Sequence, residues 1–290
     1  MIAFASFDGF AGCLTSARHA AAVLGGEAVA LAPGDPPPAC DLLVLSSWHP
    51  SYEPLLDAPV RIIGRWHSPL LQAELGAEDR QLGRLLELRA DGRLAALAFN
   101  DAEAARVFGG VHLPDVLADP PPAAPRELDG VNVTLLGEPY PRKNIVVQAA
   151  AFARSAQPGW TLHLAGRAER YSRWLELLGV AFTDHGRLPH DELLALVAGC
   201  DAGLAATLSE SYGYVAAEHL QLGVPVVTSA AVPCADTGDL QVADPGSVDQ
   251  VAAALTRAIG SDVTAARRSL AERATANARI ARAALASLAG

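Results

Sequence analysis

The chain has 290 residues, 51% of them hydrophobic, which allows two domains of ordinary size with sizeable cores and disfavours gross disorder. Its net charge of −10 argues against a nucleic-acid binder or a protein docked on anionic lipid, since both present a basic face. No apolar run approaches the roughly 18 residues of a membrane-spanning helix, and Met1-Ile2-Ala3-Phe4 lacks the basic start of a signal peptide, so a soluble cytoplasmic protein is expected.

Short apolar runs alternate with amphipathic stretches from end to end, the pattern of a parallel sheet flanked by helices. Residues 2–6 read as a strand and 14–24 as a helix stopped by Gly25-Gly26. Strands follow at 28–32 and 41–46, a further apolar segment at 60–64, and another strand at 94–99 before a helix that Asp101 caps. Residues 119–125 hold four prolines and exclude a helix or a central strand, so they predict an extended linker. Beyond it the alternation restarts. Residues 131–136, 161–165 and 202–207 read as strands, and 144–155, 170–178, 191–198, 248–259 and 264–288 as helices. The division expected is an N-terminal domain at 1–118, a Pro-rich linker at 119–130 and a C-terminal domain at 131–290, with the last helix free to pack back on the first domain.

The four cysteines form no C-x-x-C pair and no zinc spacing, so buried free thiols are expected. His185 and His190 flank a proline with no third ligand nearby and read as loop residues. No G-x-G-x-x-G and no Asp-x-Asp occurs. The former weakens a nicotinamide reading.

The stretch Ser209-Glu210-Ser211-Tyr212-Gly213-Tyr214-Val215-Ala216-Ala217-Glu218 follows a strand and opens a helix, with the strand of Gly223-Val224-Pro225-Val226-Val227 after it. Ligands of open α/β folds sit at the carboxyl ends of the strands, and amides at a helix start hold anions. The amides of Tyr212, Gly213 and Tyr214 are therefore candidate phosphate ligands. Gly213 lets the backbone approach closely. Glu218, about one turn into the helix, points back toward its start and can accept from ribose hydroxyls. Glu210, on the loop, reaches a transferred sugar. The bland alternative is a pair of glutamates that only cap and solvate a helix. A phosphate flanked by hydroxyls describes a nucleotide sugar.

Together these motifs resemble the retaining glycosyltransferases of the GT-B type (group 1, family 4-like), built from two Rossmann-like domains facing across a cleft. The E-x7-E pair with Gly-Val-Pro-Val-Val carries the likeness. Residues 184–193, with their glycine loop before a helix, and Cys200-Asp201-Ala202-Gly203-Leu204 add to it. It is strong over about residues 131–249, weaker over the first 118 and absent after about residue 261. The resemblance implies a donor diphosphate held after the glycine that ends the first strand of the second domain, here Gly137-Glu138-Pro139-Tyr140-Pro141-Arg142-Lys143-Asn144. Lys143, the one lysine of the chain, matches the family lysine, whereas Glu138 stands where the family has arginine. Arg142 is expected to supply the missing charge. Two cations opposite a diphosphate make charge-assisted hydrogen bonds and stabilise the leaving group. Gly166 and Arg167 at a strand end are expected to line the nucleotide pocket, and Arg187 with Leu188 to meet the base. In the first domain the resemblance places Gly12 in a glycine loop near donor and acceptor, and His67 near the transferred sugar. His49 is a second cleft candidate, and Trp48 and Trp66 are expected to wall an acceptor pocket, unless they are core tryptophans.

The expected function is transfer of a hexose-type sugar from a nucleotide-diphosphate sugar to a small soluble acceptor, with retention, no cofactor and no metal. The short N-terminal domain suits an aminocyclitol, a natural-product aglycone or a sugar as acceptor. Two alternatives stand beside it: a nucleotide-sugar epimerase of related fold, and a non-catalytic binding subunit, which Glu138 motivates.

Overall fold

The computed structural model describes residues 1–8, 11–70, 78–138, 140–166 and 169–289. The chain divides into two compact units, Met1–Ala118 with Ala274–Gly290, and Asp119–Arg273. Each is α/β, and each holds a six-stranded sheet whose pairings are all parallel.

The first sheet takes β1 (Ile2–Phe7), β2 (Glu27–Leu31), β3 (Leu42–Ser46), β4 (Arg61–Trp66), β5 (Ala96–Phe99) and β6 (Val111–His112) in the order β2-β1-β3-β4-β5-β6. Helices α1 (Ala11–Leu24), α2 (Glu78–Ala90) and α3 (Ala102–Val107) connect them. Successive side chains of a strand point to opposite faces, and a parallel sheet buries both. Leu43 and Leu45 thus join Tyr52, Trp66, Leu85 and Phe99 on one side, while Leu42 and Val44 join Phe4, Ile63 and Ala98 on the other. That second core also takes Ala278, Ala281, Leu285 and Leu288 from the last helix, which ties itself to the unit through Asn277 Nδ2 to Asp115 O (2.8 Å) and Arg282 Nη2 to Val23 O (2.9 Å).

The second sheet takes β7 (Val131–Leu136), β8 (Trp160–Ala165), β9 (Phe182–Asp184), β10 (Ala202–Ala205), β11 (Val226–Ser229) and β12 (Gln241–Val242) in the order β12-β11-β10-β7-β8-β9. Its helices are α4 (Ile145–Ser155), α5 (Glu169–Leu177), α6 (His190–Ala198), α7 (Tyr214–Gln221), α8 (Val248–Ala258) and α9 (Thr264–Ala289), the last running on into the first unit. The strand order reverses between β7 and β10. That topological switch point opens a crevice at the carboxyl ends of those two strands, and the loops after Leu136 and Ala205 meet there. Residues 119–125 form neither helix nor strand, and Arg126 joins the second unit through its N–H to Ala195 O (3.0 Å) and its guanidinium to Glu192 (3.2 Å).

Several boundaries differ from the sequence reading. Strand β10 stops at Ala205, because the chain turns there with Thr207 N bonded to Ala205 O (2.9 Å). Helix α1 starts at Ala11, three residues before the expected position, so Gly12 lies in a helical first turn and not in a loop; Gly9 and Phe10 lie outside the described residues. Strand β4 continues to Trp66, and His190 is the first residue of α6, not a loop residue. Among the described residues no helix is long and apolar enough to cross a membrane.

Candidate active site

The switch-point loops of the second unit are fastened to each other by amide side chains. Asn144 takes a left-handed conformation (φ 56°) between a short 3-10 turn, Pro141–Lys143, and α4. Its Nδ2 donates to Ala206 O (3.0 Å) and Pro245 O (2.6 Å). Gln148 donates to Lys143 O (2.7 Å) and accepts from Ala206 N (2.8 Å). Leu208 N closes the set on Arg142 O (2.8 Å). These bonds hold the basic turn after β7 against the loop after β10, and they aim Arg142 and Lys143 at Glu210.

Lys143 Nζ is ion-paired with Glu210 Oε1, and Arg142 Nη1 lies 3.4 Å from Glu210 Oε2 and from Ser209 O. The Glu210 side chain is only 8% exposed, and those of Lys143 and Arg142 are 16% and 19% exposed. Two cations therefore face one carboxylate where water is largely excluded, and there charge–charge attraction is stronger than in bulk water. Lys143, Glu210, Thr207, Gly213 and Val232 line a small hollow beside the pair.

Gly213 begins α7 as its N-cap with φ 91°, and a Cβ there would stand 2.6 Å from Val232 Cγ1. Both the conformation and the close approach exclude other side chains. The amides of a helix start have no intrahelical acceptor, so this end of α7 offers donors to an anion. Tyr212 is buried, and its ring centroid lies 4.8 Å from that of Tyr214. One turn on, Glu218 is buried with Oε1 2.8 Å from His190 Nε2.

Glu138 meets Arg187 across the same rim, with Nη2 2.8 Å from Oε1. Between them Gly166 packs so closely that an added Cβ would fall 2.6 Å from Gly137 O, and its own N–H donates to Gly186 O (2.9 Å). The loops after β7, β8 and β9 are thus stitched together. Leu188 packs its side chain against the core residues Leu136, Ala165, Val197 and Val224. Arg167 lies outside the described residues.

In the first unit the candidate residues Trp48, His49, Trp66 and His67 lie at or just beyond the carboxyl ends of β3 and β4. Trp48 (5% exposed) and Trp66 (1%) are core residues, the second of the two readings the sequence allows. His49 is a capping residue: Nδ1 accepts from Ser51 N (3.2 Å) at the start of the 3-10 helix Pro50–Asp57, and its ring stacks on Phe7 at 3.8 Å. His67 is buried, with Nδ1 3.5 Å from Asp115 Oδ1. Burial first, then the charge of Arg65, lowers its pKa, so the imidazole is neutral near pH 7.

Sequence reading missed the group around it. Arg65 and Asp115, each 1% exposed, pair at 3.1 Å; Ser16 Oγ donates to the same carboxylate oxygen, and Arg65 also reaches Leu113 O (3.0 Å). Burial alone would raise the Asp115 pKa, yet Arg65 and then His67 hold the carboxyl well below its usual range. An arginine inside an apolar strand was the one available signal. The pairing of His190 with Glu218 was also missed, for want of any spacing that joins them.

Residues 130–261 match the family described as Glycosyl transferases group 1. No curated protein matches the chain in sequence. Its fold is similar to that of HepE from Anabaena, solved with UDP and glucose (TM-score 0.65, 16% identity over 86% of this chain and 77% of HepE). It is also similar to an α,α-trehalose-phosphate synthase (UDP-forming) from Burkholderia xenovorans, solved with glucose-6-phosphate (TM-score 0.60, 15% identity, 86% of this chain and 73% of that one). TarM from S. aureus is similar over 86% of this chain but 54% of its own length (TM-score 0.62, 12% identity). The family match lies inside the unit that carries Lys143, Glu210 and Glu218, and the two parallel sheets give the chain the GT-B fold of these structures.

Proposed function

We propose that the protein moves a hexose-type sugar from a nucleotide-diphosphate sugar to a small soluble acceptor, with retention of configuration and no metal. The observation that carries this is the convergence of Lys143 and Arg142 on Glu210 beside the α7 helix start. A diphosphate entering there meets the two cations and the amides near Gly213, which would bind it and stabilise the charge that grows as it departs. Glu210 orients the sugar and Glu218 the ribose. HepE, solved with UDP-glucose, supports a donor of this class. Residues 131–273 take the donor in this reading and 1–118 the acceptor, and the reaction runs in the cytoplasm. His67, neutral and buried, orients a hydroxyl and is no strong base. Glu138 does not leave its region without a cation, because Arg187 stands against it.

The test is incubation with nucleotide sugars, with and without candidate acceptors, followed by product NMR. Release of nucleoside diphosphate with an anomer matching the donor supports the proposal. Epimerised sugar without acceptor, or no turnover with any donor, contradicts it and favours the epimerase or the binding subunit respectively.

A further inference from the structure

A buried ionised carboxylate is costly unless it is hydrogen-bonded, and Glu218 is 5% exposed. Its partner is His190, whose Nε2 lies 2.8 Å from Oε1. An ionised carboxylate only accepts, so Nε2 carries the proton and donates it. The histidine occupies one oxygen and fixes the orientation of the other. His190 is held firmly enough to do this. It opens α6, whose core side chains Leu194, Leu196 and Val197 are buried. The loop just before it is tied at Gly186 O to Gly166 N (2.9 Å) and at Arg187 to Glu138 (2.8 Å).

We infer that His190 is a positioning residue for nucleotide recognition: it holds Glu218 turned so that its second oxygen is presented to the ribose diol. This rests on the nucleotide-sugar reading above. His190 touches the carboxylate and not the reacting atoms, so its effect falls on donor selection. A ribose hydroxyl donating to a carboxylate makes a charge-assisted bond, and removal of that hydroxyl weakens binding by about tenfold or more. Without His190 the carboxylate loses its fixed aim and this penalty shrinks.

The experiment titrates UDP, GDP and ADP, and their 2′-deoxy counterparts, into wild type, His190→Ala and His190→Gln. For the nucleotide that binds best, wild type prefers the ribo form by about tenfold or more. The preference falls toward unity in His190→Ala and returns in part in His190→Gln, whose amide also donates. In steady-state assays His190→Ala raises the donor KM while kcat changes little. Tight nucleotide binding with an unchanged ribo preference in His190→Ala, or a loss confined to kcat, overturns the role of His190 alone. No binding of any of these nucleotides to wild type overturns the nucleotide reading and this inference with it.

Discussion

Lys143 and Glu210, 67 residues apart in sequence, form one ion pair at the switch point of the second sheet, with Arg142 3.4 Å from the other carboxylate oxygen. The carboxylate thus stands where it balances two cations, and a donor diphosphate would compete with it for both. In the proposed reaction, binding would redirect Glu210 from Lys143 toward the sugar hydroxyls.

Replacement of Lys143 tests its role kinetically. Lys143→Ala should lower kcat by about 10²–10³-fold, the loss seen when one preorganised stabiliser of developing negative charge is removed. Stability should change little, because Arg142 remains beside Glu210. Initial rates of nucleoside diphosphate release, with thermal melts of both proteins, check this; a fall of less than about threefold would go against the role assigned to Lys143.

The start of α7 is tested by Gly213→Ala. A side chain at φ 91° costs about 1–2 kcal/mol in the left-handed region, and its Cβ would press on Val232 at 2.6 Å. Gly223→Ala is the control, since φ is 81° there but the added Cβ meets nothing within 4 Å. Both variants should melt lower than wild type. Only Gly213→Ala should lose nucleotide affinity, as read by calorimetric titration. Equal affinities in the two variants would separate the helix start from anion binding.

Asp115 should matter for stability. Its loss leaves the guanidinium of Arg65, 1% exposed, without its counter-charge. Breaking a buried pair from one side costs about 3–5 kcal/mol. Urea unfolding of Asp115→Ala should show a shift of that order, and a change under about 1 kcal/mol would mean that water reaches the cluster.

Acid sensitivity should come partly from His163. Burial, then His185 and Arg126, lowers its pKa from 6.5 to about 4; its Nε2 bonds Asn132 Oδ1 (2.9 Å) and its Nδ1 lies 3.0 Å from His185 Nε2. The unfolded chain therefore binds a proton below about pH 6.5 that the folded chain refuses until about pH 4. Stability is full above that window and falls as pH drops through it. His67, His185 and His219 are lowered too and add in the same direction. Melting temperatures from pH 7.5 down to 4, wild type against His163→Gln, should show a shallower fall in the variant; parallel curves would remove His163 from the account.

What the sequence revealed follows from burial. Strands covered on both faces read as apolar runs, so β1, β3, β7, β8 and β10 were legible, and the motif around Glu210 placed itself at the end of the last of these. Strands β6, β9 and β12, two or three residues long, carry no periodicity. The tryptophans near strand ends allowed two readings, and Trp66 belongs to β4 itself and packs in the core. Pairs such as Arg65 with Asp115, 50 residues apart, or His190 with Glu218, 28 apart, arise only when the sheets assemble. Neither partner bears a local mark of the other.

In the proposed function, Lys143 and the α7 helix start grip a donor diphosphate. Calorimetric titration of UDP, GDP and ADP into wild type and Lys143→Ala tests it most directly. At least one nucleoside diphosphate should bind wild type, and Lys143→Ala should bind it about tenfold or more weakly, the loss of one charge-assisted contact. Equal affinity in the two proteins, or no binding to wild type, would contradict it.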